Sequence, residues 1–77
     1  MIRILLKELV ARKEFADKRK IRLDDLSSAT GISKNTLSRM QSPQGYNTKT
    51  ENLDKLCAYF DCRIEDLLEY IPEKVQK

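Results

Sequence analysis

The sequence predicts an all-α fold, a compact bundle of five short helices in which the second and third meet at a glycine as a helix-turn-helix. Three observations lead there. Apolar residues recur at helical spacing in five separate segments, as expected of helices that each bury one stripe. Clusters of turn-forming or charged residues, such as Asp17-Lys18-Arg19-Lys20 and Ser42-Pro43-Gln44-Gly45, separate those segments. The composition is 40% hydrophobic and 35% charged with only two Gly and two Pro in 77 residues, which favours helix and suits one modest core. We therefore expect a single domain over residues 1–72 and a frayed tail from Glu73 to Lys77.

Ile2, Leu5, Leu6, Leu9 and Val10 predict a first helix from about Arg3 to Asp17, closed at its far end by Phe15. The alternation of Ile2 and Ile4 about Arg3 also fits a short strand, which would be unstable without a partner. Leu23, Leu26 and Ala29 define a second helix, ended by Gly31. Ser33 stands where an N-cap belongs, and Leu37 and Met40 form the inward side of a third helix that stops before Ser42-Pro43. Thr48-Lys49-Thr50-Glu51 has capping-box spacing and opens a fourth helix with Leu53, Leu56, Cys57 and Phe60 inward. Ile64, Leu67 and Leu68 mark a fifth, with Glu65 and Asp66 at the positive end of its dipole and Arg63 a poor cap.

Charge is unevenly distributed. Residues 1–22 carry eight basic and three acidic side chains, whereas residues 51–77 carry four and seven, within a net charge of +3. A basic front suits a polyanionic partner. No apolar run approaches the roughly 20 residues of a membrane span, and Arg3 and Lys7 interrupt any secretory leader, so a cytoplasmic protein is expected. Cys57 and Cys62, without a single His, do not make a structural zinc site and are read as reduced, structural thiols. The chain has no His and no glycine-rich phosphate loop, and its paired acids Asp24-Asp25 and Glu65-Asp66 are read as helix-dipole partners. Catalysis, a metal, a cofactor and a small-molecule substrate are therefore not expected.

Residues 23–40, LDDLSSATGISKNTLSRM, place two short helices about Gly31 with Leu26, Ile32, Leu37 and Met40 inward. In such a unit the first helix and the turn brace the second, whose outer residues can enter a DNA major groove about 12 Å wide. Leu26, Gly31-Ile32-Ser33, Thr36-Leu37-Ser38-Arg39, Leu53-Asp54-Lys55-Leu56-Cys57 and Asp66-Leu67-Leu68 resemble the Cro and phage-repressor (XRE-type) helix-turn-helix family over roughly Leu5 to Tyr70. The resemblance implies a five-helix lambda-repressor-like domain that binds double-stranded operator DNA, usually as a dimer. Two positions depart from the family pattern. Ser27 stands where Ala is usual, which is tolerable if its hydroxyl finds a backbone carbonyl, and Gln41-Ser42-Pro43-Gln44-Gly45 replaces the usual Glu-x-Gly.

Carried over by position, Ser33, Lys34, Asn35, Ser38 and Arg39 are the residues expected to read bases from helix 33–41. Lys34 and Arg39 suit guanine O6 and N7, and Asn35 suits adenine N6 and N7. Arg22, Tyr46, Asn47 and Lys49 are assigned to phosphates. Leu26, Ser27, Gly31, Ile32, Leu37 and Met40 are assigned to packing of the motif. The expected function is a transcriptional regulator, in the first instance a bacterial or phage repressor that occupies an operator as a homodimer. Either the first residues or Leu68, Tyr70 and Ile71 are expected to contribute to the dimer. The competing reading is a protein-interaction module, such as an antitoxin or regulator antagonist, which an exposed apolar patch near Leu68 to Val75 would favour.

Overall fold

The computed structural model describes residues 1–72, so the expectations for the tail and for Val75 lie outside the described residues. The elements run β1 (Ile2–Ile4), α1 (Leu6–Asp17), α2 (Leu23–Thr30), α3 (Lys34–Met40), α4 (Thr50–Phe60), α5 (Ile64–Leu67) and β2 (Leu68–Tyr70). Five helices are present as expected, but the fold is not purely α. The alternating Ile2 and Ile4 form a strand after all, because they have a partner: β1 pairs antiparallel with β2, aligning Ile2 with Tyr70, Arg3 with Glu69 and Ile4 with Leu68. The first helix accordingly starts at Leu6 rather than Arg3, and the fifth is a single turn whose expected last residue, Leu68, is extended.

Backbone bonds carry the pairing beyond the strands. Leu5 N–H donates to the Leu67 carbonyl at 2.7 Å, Ile71 N–H donates to Met1 O at 2.8 Å, and the Met1 ammonium donates to Ile71 O at 2.6 Å. On the polar face Arg3 bridges Glu69 and Glu8, each at 3.1 Å. On the other face Ile4 is buried, while Ile2 and Tyr70 stand exposed side by side.

Every element from β1 to α5 contributes to one core: Ile4, Leu6, Leu9, Ile21, Leu26, Ile32, Leu37, Met40, Leu56 and Leu67. Burying each such side chain contributes roughly 1.5–3 kcal/mol before the entropy of ordering the chain is subtracted. Ile21 was not read from the sequence as a core residue. It is drawn in because its N–H donates to the Glu14 carboxylate at 2.8 Å, which folds the α1–α2 connection back onto the bundle. That connection begins with Lys18 in the left-handed region and leaves Lys18, Arg19 and Lys20 exposed.

Phe15 does not close the core; it is 86% exposed. Leu6 and Leu9 set the buried stripe of α1, and Phe15 lies six residues beyond Leu9, roughly 240° around the helix. Tyr59 and Phe60 of α4 occupy that end instead, packed edge to face at 4.9 Å, with the Lys13 ammonium 5.3 Å from the Tyr59 ring. The capping box expected at Thr48 and Glu51 also fails to form. Lys49 is the N-cap of α4, so Glu51 falls one position short, and the Thr48 hydroxyl accepts a bond from the Asn52 amide at 2.9 Å. At the other end of α4, Asp61 adopts the left-handed conformation and Cys62 N–H donates to Cys57 O at 3.1 Å, leaving both thiols free and half-buried.

The two glycines have left-handed backbones for different reasons. Gly31 (φ +80) ends α2, and a Cβ there would meet nothing within 4 Å. At Gly45 (φ +89) a Cβ would lie 2.7 Å from the Ile2 carbonyl oxygen, so this glycine lets the α3–α4 loop lie against β1. Gly31→Ala should therefore cost about 1–2 kcal/mol from backbone strain alone. Gly45→Ala should cost about 2–4 kcal/mol, because the loop and β1 must also separate. Denaturant unfolding of both variants checks this, and equal losses would contradict the close approach of the loop to β1.

Candidate nucleic-acid interface

The brace of the motif is local. Gly31 N–H donates to Ser27 O at 2.8 Å, and the Thr30 hydroxyl donates to Leu26 O at 2.6 Å while accepting from Ile32 N–H at 3.2 Å. Thr30 thus ties the end of α2 to the turn, a role that was not read from the sequence. Of the residues assigned to packing, Leu26, Ile32, Leu37 and Met40 are buried, and Gly31 makes the turn. Ser27 is half-buried, and its hydroxyl makes no protein hydrogen bond among the described residues, so the carbonyl partner expected for it is not found. Half-exposed, a hydroxyl does not need one.

Leu37 and Met40 hold α3 against the core by one side. With those two inward, helical spacing puts Asn35, Ser38 and Arg39 on the opposite side and Lys34 on the flank towards α2, and all four are exposed. Ser33 is the N-cap, as expected. Its hydroxyl accepts from Thr36 N–H at 3.2 Å and donates to the Thr36 hydroxyl at 2.9 Å, so it is already engaged in the cap. Arg39 makes no ion pair among the described residues. Lys34 does: its Nζ lies 2.8 Å from Asp24 Oδ1, across the gap between α3 and α2.

The residues assigned to phosphates fall into two groups. Tyr46, Asn47 and Lys49 come together beside the start of α4, where with Thr36, Glu51, Asn52 and Lys55 they line an open groove of about 640 Å³, so one carboxylate sits among its cations and amides. Lys55, which the sequence does not single out for phosphate, also pairs with Glu51 at i,i+4 spacing, 3.7 Å apart. Arg22 is elsewhere, as the N-cap of α2, where its N–H donates to Asp25 Oδ2 at 2.9 Å. Asp66 does the same for Arg63 at 3.2 Å, so Asp25 and Asp66 act as caps as well as dipole partners. Together α3, Arg22 and the groove offer an exposed helix flanked by cations and amides, which suits a groove edged by phosphates.

A braced two-helix motif with a polar, outward second helix defines a helix-turn-helix DNA-binding protein. Residues 13–73 match the sequence model of the Cro/C1-type HTH DNA-binding domain, and the chain belongs to that family. A comparison with curated proteins gave no match. No helix among the described residues is long and apolar enough to cross a membrane.

Proposed function

We propose that the protein is a transcriptional repressor of bacterial or phage type, acting in the cytoplasm by seating the helix 33–41 in the major groove of an operator. The observation that carries this reading is the exposure of Lys34, Asn35, Ser38 and Arg39 on a helix whose other side is fully buried. These side chains supply the donors that base edges accept, and a rigid support presents them with little ordering cost. Arg22 on one side, and Tyr46, Asn47 and Lys49 on the other, hold the flanking phosphates, and repression follows from occupancy without catalysis or a cofactor.

The same reading makes the protein a dimer on DNA, since two copies reading half-sites one helical turn apart gain affinity from both. Ile2 at 52% and Tyr70 at 70% exposure, paired across β1 and β2, supply an apolar surface for the second copy. This surface also favours the competing reading, in which it receives a different protein and the DNA face is secondary. One experiment separates the two. The protein is mixed with a pool of random duplexes at two salt concentrations, and the bound fraction is sequenced. An enriched palindrome with half-sites about one helical turn apart is the expected result, whereas salt-sensitive binding with no enriched sequence would overturn the operator reading.

A further inference from the structure

Lys34 is the first residue of α3, where a cation faces the positive end of the helix dipole and does nothing for the fold. Asp24 stands opposite it in α2, and the two side chains meet at 2.8 Å while remaining 59% and 72% exposed. Their hydrogen bond, and then their mutual attraction, hold the Asp24 carboxyl below its usual range and push the Lys34 ammonium up. The neighbouring Asp25 caps the Arg22 amide, whereas Asp24 has Lys34 as its side-chain partner. Of two adjacent carboxylates, one therefore serves the helix and the other serves a residue on the exposed flank of α3.

We propose that Asp24 is a specificity-determining residue: its carboxylate compensates the charge of Lys34 towards phosphates, while the remaining ammonium hydrogens stay free to donate to guanine O6 and N7. This inference rests on the operator reading above. An unpaired lysine at the tip of α3 would bind any phosphate within reach, adding affinity for every sequence alike. With Asp24 beside it, binding a phosphate exchanges one anion for another and brings the carboxylate close to the polyanion. A guanine edge needs no such exchange, because the paired ammonium keeps two donors for O6 and N7 when α3 is correctly seated.

The test uses the full chain, one duplex recovered by the random selection and one scrambled duplex of the same composition. Asp24→Asn should bind the scrambled duplex roughly three- to tenfold more tightly, with a salt dependence steeper by about one unit, and should change little on the selected duplex. The ratio between duplexes then falls by the same roughly three- to tenfold, and in a Lys34→Ala background Asp24→Asn should move it less than about twofold. Asp24 is exposed, so the melting temperature should stay within a few degrees, and Asp24→Ala serves as a second variant. If the unsubstituted protein discriminates and Asp24→Asn leaves the ratio intact, or lowers it equally without Lys34, this inference is overturned while the operator reading stands. Equal binding of both duplexes by the unsubstituted protein would overturn both.

Discussion

Replacing Lys34 and Asn35 together by alanine is expected to erase discrimination between the selected operator and random DNA while leaving the fold intact. Both side chains are exposed, so their removal takes nothing from the core. Each good bidentate contact to a base is worth about 1–3 kcal/mol, so losing two should cost roughly thirtyfold to twenty-thousandfold on the operator and much less elsewhere. Arg22→Ala provides the contrast. A phosphate contact carries no sequence information, so this variant should weaken all duplexes about equally and reduce the salt slope by about one unit. Fluorescence anisotropy with both duplexes at several salt concentrations measures each quantity. A folded Lys34/Asn35 double variant that still prefers the operator would move the reading of bases to other residues, Arg39 first among them.

The second large effect is expected inside the helix that carries those residues. Leu37 is fully enclosed between α3 and the rest of the core, and Leu37→Ala should cost about 2–5 kcal/mol through lost transfer energy and the cavity left behind. For a 77-residue chain the total stability is only about 4–12 kcal/mol, so this one substitution removes a large share of it. The melting temperature should fall by roughly 10–30 °C, and DNA binding should fail with it. Phe15→Ser, at the 86% exposed aromatic, should stay within about 0.5 kcal/mol of the parent. Calorimetry on the two variants decides whether hydrophobicity in the sequence or position on the helix predicts the loss.

The helices were legible because their signals are local. Leu26, Leu37, Met40 and Leu56 stand at helical spacing, Gly31 and Ser33 bracket the turn with chemistry specific to a helix end and a helix start, and all six take the expected places. What was not legible depends on partners distant in the chain. The strand character of Ile2 and Ile4 becomes stable only through Leu68 to Tyr70, and those residues carry an apolar pattern that one more helical turn would explain equally well. Phe15 reads as inward on its hydrophobicity alone, although its angle on α1 points it away from Leu6 and Leu9. At the interface, Asn35, Ser38 and Arg39 could be placed on the outward side of α3 from spacing, with Lys34 at its flank. The Lys34–Asp24 pair could not, since the nine positions between them are bridged only by how α2 and α3 cross.

The pairing of β1 with β2 also bears on how the chain is made. Ile4 belongs to the core, yet the strand that secures it, with Ile4 set against Leu68, is translated 64 residues later. At about 5–20 residues per second that delay is roughly 3–13 s, far longer than the microseconds in which the individual helices form. Until residues 68–71 are made, the front segment has no strand to pair with. The strand pair joins the two most distant parts of the described sequence, so full stability requires that residues 68–71 be available to pair.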